Sequence, residues 1–125
     1  MQFKFISINE HGDIYFDAEG SPVKDANQIE EIHRNLRLNE QFNLVTEFQG
    51  DEYIVESFDH PLQIIAIEIK NEQILLQTKQ NTLFEAENSK WSVDEWDRFN
   101  GLTTSGAPFV LTAKAQKSLF EIAES

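Results

Sequence analysis

Apolar and polar positions alternate with period two over much of the chain, which predicts a protein built mainly of strands. From Phe3 to Asn9, Phe3, Phe5 and Ser7 fall on one face and Lys4, Ile6 and Ile8 on the other. His11-Gly12-Asp13 is a turn signal, and Ile14 to Asp17 returns as the second strand of a hairpin. Ala18 to Pro22 holds Gly and Pro and reads as a loop. The period then changes. Asp25 is placed as an N-cap, with Gln28 three residues on completing a capping box. Ile29, Ile32 and Leu36 follow at helical spacing, while Glu30 and Arg34 form an i,i+4 pair on another face. The spacing predicts a surface helix ending near Leu36 to Leu38.

Strands resume at Phe42 to Phe48, where Phe42, Leu44, Thr46 and Phe48 share a face, and at Tyr53 to Ser57. Asp59-His60-Pro61 breaks the chain. Leu62 to Lys70 is apolar on both faces, as expected of a central strand covered on both sides. Asn71-Glu72 turns the chain into Gln73 to Lys79, and Thr82 to Ala86 adds a further strand. Ser92 and Glu95 form a second capping-box pattern, predicting a short helix from Val93 to Phe99 stopped by Asn100-Gly101. Leu102 to Ala107 reads as a loop, Pro108 to Leu111 as a brief strand, and Ala113 to Ala123 as a closing helix with Leu119 and Ile122 inward and Ala115 or Phe120 at its margins. The expectation is a single α+β domain over residues 1–125. It has a mostly antiparallel sheet of about seven or eight strands and two or three helices.

Charge narrows the set of partners. The net charge is −12. Residues 1–69 carry 14 acids against 4 bases, a net of −10, and the remainder 8 against 6. A field of this sign repels phosphate backbones and anionic lipid, so no nucleic-acid or membrane partner is expected. A basic protein or a small ligand is compatible with it. The simplest role of the surplus is solubility. With no Cys, disulfides, thiolate metal sites and a Cys nucleophile are excluded. No apolar run reaches the roughly 18 residues of a membrane span, and the N-terminus shows no secretory pattern, so a cytoplasmic location is expected.

Candidate chemistry is sparse. Of the three histidines, His11 and His60 sit in turns, and His33 lies on the first helix three residues after Glu30. Glu-x-x-His is half of a di-metal carboxylate motif, but a single copy with too few helices favours a packing role. Asp13 and Asp17 flank a strand, and Asp94, Glu95 and Asp97 crowd one segment; a solvated face explains both groups. There is no GxGxxG, GKS/T or GxSxG pattern. No catalytic, cofactor-binding or metal-ligating residue is therefore assigned, and no cofactor is expected. Four aromatic residues, Tyr53, Phe58, Trp91 and Trp96, are the candidates for an interaction surface, with core packing as the competing role of the two Trp.

Several short stretches, in order, carry a resemblance. Gly12-Asp13-Ile14-Tyr15-Phe16 and Gly20-Ser21-Pro22-Val23 resemble the Gly-x-Trp-Phe and Gly-Ser-Pro-Ile stretches of the domain-of-unknown-function 1285 family of bacteria. Leu44-Val45-Thr46 is similar to its Leu-Val-Thr-Pro segment. Val55 to Leu62 is similar to Val-Glu-Asp-Ala-Pro-Phe with two residues inserted. Pro108-Phe109-Val110 and Leu119-Phe120-Glu121-Ile122 resemble the family's final strand and helix. Ile14 replaces the family's Trp and Glu47 its Pro, and Ser89 to Gly106 has no counterpart. The resemblance implies an α/β fold of two small packed subunits, a helix-bearing part over residues 1–60 and a β-rich part over residues 61–125, and a signalling or ligand-binding role without known chemistry. Three functions follow as expectations: a non-enzymatic binding or regulatory module first, an acidic immunity or inhibitor protein masking a basic toxin second, and an enzyme with a carboxylate/His site at His33 or His60 third.

Overall fold

A computed structural model describes residues 4–16, 20–88 and 91–124. The expectations for Phe3, Asp17, Ala18 and Ser89 fall outside these residues, as do the side chains of the last three positions. Eleven strands and two helices are formed among the described residues. The first sheet contains β1 (Lys4–Ile8), β2 (Ile14–Tyr15), β3 (Arg37–Leu38), β4 (Leu44–Phe48) and β5 (Asp51–Ser57), in the order β2-β1-β5-β4-β3. The second contains β6 (Leu62–Lys70), β7 (Gln73–Thr78), β8 (Leu83–Glu85), β9 (Ser92–Val93), β10 (Phe99–Leu102) and β11 (Pro108–Leu111), in the order β8-β7-β6-β11-β10-β9. Helix α1 (Ala26–Arg34) precedes β3, and α2 (Ala113–Glu124) follows β11.

The α+β class and the predominance of antiparallel pairing agree with the sequence, but eleven strands replace seven or eight. The extra ones are β3 and β9, each two residues long and too short to show a period, and β10, which lies where a helix end and a loop are predicted. Each sheet is mixed: β1 runs parallel to β5, and β11 parallel to β6. Local chemistry explains the tight connections. Gln49 and Gly50 between β4 and β5, and Asn71 and Glu72 between β6 and β7, all have positive φ, the requirement of a two-residue hairpin turn that follows the strand twist.

Asp25 caps α1, accepting hydrogen bonds from the backbone N–H of Asn27 and Gln28. The helix is shorter than its spacing suggests. It ends at Arg34 with Asn35 as C-cap, because Arg37 and Leu38 leave to pair with β4. Leu36 therefore belongs to the connection, yet it is fully buried with Ile29 and Ile32. Phe42 is not on the β4 face predicted for it. It sits in a turn at positive φ and is 83% exposed, while Val45, Thr46 and Phe48 are buried.

β6 is central, as expected, but its two faces are unequal. A bulge between Ile64 and Ala66 shifts the alternation so that Leu62, Ile64 and Ile67 are buried, while Ile65 is half-buried and Ile69 exposed. In α2 the most buried side chain is Ala115; Leu119 and Ile122 are half-buried and Phe120 is exposed. One apolar cluster draws on both sheets and both helices, including Ile6, Ile32, Leu62, Phe109 and Ala115.

Residues 92–99 depart most from the sequence reading. They form a hairpin, not a helix. The Ser92 hydroxyl donates to Asn100 across the β9–β10 pair. The Asp94 carboxylate accepts from the N–H groups of Trp96 and Arg98, and Asp97 takes positive φ. A carboxylate that captures backbone N–H groups two and four residues on closes a turn in place of a helical one. The segment 102–107 also does more than loop. Ala86 bridges Thr103, and the N–H groups of Glu87 and Thr104 reach Leu102 O and Glu85 O, both at 2.9 Å. The end of β8 thereby meets the end of β10, and β8-β7-β6-β11-β10 close on themselves.

Candidate functional site

The loop between β5 and β6 and the β9–β10 hairpin meet at the boundary of the two sheets. Asp59 supplies one side of the junction, Asp94 and Arg98 the other. The Arg98 guanidinium donates to both oxygens of Asp59, at 2.6 and 3.2 Å, and its Nε donates to Asp94 at 2.8 Å. His60 lies beside Asp59, its Nδ1 3.0 Å from the carboxylate and its backbone N–H donating to the same oxygen. The Ser57 hydroxyl donates to the Asp59 carbonyl.

The electrostatics follow from this geometry. The Arg98 hydrogen bonds, with a smaller contribution from His60, hold the Asp59 carboxyl well below the usual carboxylate range against the opposing effect of burial. At Asp94 desolvation pulls upward, but the N–H groups of Arg98 and Trp96 and the guanidinium together outweigh it, and the group ends below its ordinary value. Arg98 is raised, first by Asp59. A guanidinium shared between two carboxylates this way is a fixed strut, not a proton donor or acceptor.

Two concavities flank the strut. A groove of about 410 Å³ is lined by Glu10, Asp59, Trp96, Arg98, Thr112 and Gln116, among others. On the other side of Asp59 a shallow open surface is formed by Leu44, Phe58, His60 and Pro61 with their neighbours. Phe58 is 78% exposed and Trp96, at the hairpin tip, 68%. Arg98 lies over the Trp96 ring, 5.4 Å from its centroid. Glu95 and Asp97, on either side of Trp96, are exposed.

The four aromatic candidates are not brought together. Tyr53 is half-buried in an aromatic group with Phe16 and Phe48, at centroid distances of 5.8 and 6.4 Å. Trp91 packs edge-on against the buried Phe109 at 5.2 Å. Only Phe58 and Trp96 face solvent, joined through the Asp59–Arg98 pair. The sequence reading singles out neither Asp59 nor Arg98, and it treats Asp94 as part of a solvated face, whereas its side chain is largely covered and paired with Arg98. A signal was present: Arg98 is the one base among three acids, Asp94, Glu95 and Asp97, and such a base finds a carboxylate.

His33 sits in a second junction of different character. It is fully buried, and its Nδ1 lies 2.8 Å from the Thr82 hydroxyl, which in turn lies 2.6 Å from that of Thr78. Burial, then the neighbouring Arg34, lowers its pKa to about 4. Glu30 points elsewhere and pairs with Arg34 at 3.5 Å, as its spacing suggests. Among the described residues no three His, Asp or Glu side chains converge as a metal-ligand set, and no helix is long and apolar enough to cross a membrane.

Two sheets, each with a parallel pair at its heart and one helix, define an α+β architecture found in two solved structures. A DUF1285 family protein from Shewanella baltica OS155 has a TM-score of 0.74 at 15% identity, over 97% of this chain and 91% of that one. A second DUF1285 family protein, from Silicibacter pomeroyi DSS-3, has a TM-score of 0.69 at 12% identity, over 95% and 69%. No protein-family model and no curated protein matches the chain. The fold is thus that of DUF1285 proteins, in agreement with the family the short motifs resemble. Those motifs fall on structural positions: the β1–β2 turn, β4, the β5–β6 loop, β11 and α2.

Proposed function

We propose that the protein is a non-enzymatic binding module whose docking face is the junction of the β5–β6 loop and the β9–β10 hairpin. The observation that carries this reading is the exposure of two large aromatics, Phe58 and Trp96, on either side of a rigid ion-paired strut. Exposed aromatics on a fixed frame are the usual anchors of protein recognition. The enzyme reading has less support. Acid–base chemistry calls for a group titrating near neutrality in reach of a ligand. Asp59 is instead driven far down and His33 is sealed in the core. The acidity of residues 1–69 favours, as a second reading, an immunity or inhibitor protein for a basic toxin.

The test is site-specific photocrosslinking in the native cell. A photoreactive amino acid placed at position 58 or 96 is expected to give a discrete adduct. The same group at Leu83, an exposed apolar position on β8, is expected to give none. Equal labelling at all three positions, or none, removes the proposal.

A further inference from the structure

We propose that Trp96 seats an arginine side chain from a basic segment of a partner protein. This rests on the binding-face reading above and names its ligand. The protein already contains one example of the contact: the Arg98 guanidinium lies over the Trp96 ring. That cation is already offset, because Asp59 and Asp94 pair with its Nε, Nη1 and Nη2. Most of the indole remains in solvent.

Apart from Arg98, whose charge Asp59 and Asp94 offset, the charged groups beside it are acidic. Exposed Glu95 and Asp97 flank Trp96 in the hairpin tip, and exposed Glu10 lines the groove beneath it. An aromatic face flanked by exposed carboxylates attracts a cation, and a planar, weakly hydrated guanidinium stacks on indole better than an ammonium does. The −12 net charge adds long-range attraction for a basic partner and repels an acidic one. The groove of about 410 Å³ has room for the side chain and its neighbours.

The experiment titrates ¹⁵N-labelled protein with three decapeptides of alternating Gly and Arg, Lys or Glu. The Arg peptide is expected to shift the Trp96 indole and the amides of residues 94–98, to bind more tightly than the Lys peptide, and to weaken with salt. The Glu peptide is expected to leave the spectrum unchanged. Trp96→Ala should weaken the Arg peptide about threefold to fivefold, the size of one exposed cation–π contact. Its melting curve should stay as in the parent, since the ring is mostly exposed. Glu40→Gln, which removes an exposed acid from the β3–β4 turn, should change nothing.

If Arg and Lys peptides bind alike and Trp96→Ala has no effect, only the overall field attracts them and the arginine seat is wrong. Adducts at positions 58 and 96 to a partner that places no arginine there would also overturn it, while leaving the binding module intact. Absence of both adducts and peptide shifts would remove the two together.

Discussion

Two polar junctions tie the first half of the chain to the second, and they are opposites. At one, His33 on α1 meets Thr82 beyond β7, neutral and fully buried. At the other, Asp59 meets Arg98 and Asp94, charged and partly in water. The buried junction gains from the low dielectric only while it carries no charge, since an ion there would lack compensation. The surface junction tolerates three ions because each has a partner and water screens the remainder. A structural link and an accessible frame therefore call for different chemistry, even when both span the same two sheets.

The largest expected effect comes from the apolar floor of the buried junction. Ile32, the residue before His33, has no exposed surface. Ile32→Asp places an unpaired carboxylate there and should abolish cooperative unfolding in a thermal melt. A folded variant melting like the parent would mean that α1 does not hold the two halves together.

Acid separates the junctions next. The folded His33 titrates near pH 4 and an unfolded histidine near 6.5, so between these values the unfolded chain binds the extra proton. Stability should fall as pH falls through that window, by about 3 kcal/mol in all, and this contribution levels off below pH 4. Asp59, whose carboxyl is depressed, acts in the other window. Its stabilisation is intact above the ordinary carboxylate range and is lost only at more acidic pH. Denaturant melts at pH 7.5 and 4.5 thus read mainly the histidine junction. His33→Leu should flatten the difference between them; an unchanged difference would assign the acid sensitivity elsewhere.

The smallest effect belongs to the surface strut. Arg98→Ala should cost about 1 kcal/mol, because partly solvated pairs contribute little even with two-pronged geometry. The gap from the parent should narrow in high salt. A loss that ignores salt would show that Arg98 acts through packing against Trp96 rather than through charge.

Much of this was legible along the chain where one local rule decides. Asp25 had orphan helix N–H groups to satisfy and did so. Asn71-Glu72 had to turn β6 into β7. Ile6, Ile8 and Ile32 alternate or recur towards a core and lie in it. Residues 92–99 were not legible, because Ser92, Glu95 and the Asp94–Arg98 spacing suit a helix and a tight hairpin equally well. The choice is made by Asp94 folding back on its own backbone and by Arg98 finding Asp59, far away in sequence. The same long-range pairing hid the site: Phe58 and Trp96 could be named as aromatics, but not placed on one frame. Tyr53 and Trp91 carried the same aromatic signal and went to the core margin, since nothing local distinguishes an anchor from a packing residue.

The parallel pairs have a consequence for the order of assembly. β1 is held by β5, with Lys4 opposite Tyr53, and β6 is held by β11, with Leu62 opposite Phe109. Antiparallel neighbours such as β4–β5 and β6–β7 are separated by two-residue turns and can zip within microseconds, whereas each parallel pair must first close a long loop. During synthesis, β1 waits for most of the first half to emerge and β6 waits for nearly the whole chain. Both β1 and β6 are strongly apolar, so the nascent protein carries two unpartnered sticky edges until late. The acids dense in residues 1–69 are then most useful before the fold exists, keeping waiting chains apart by mutual repulsion.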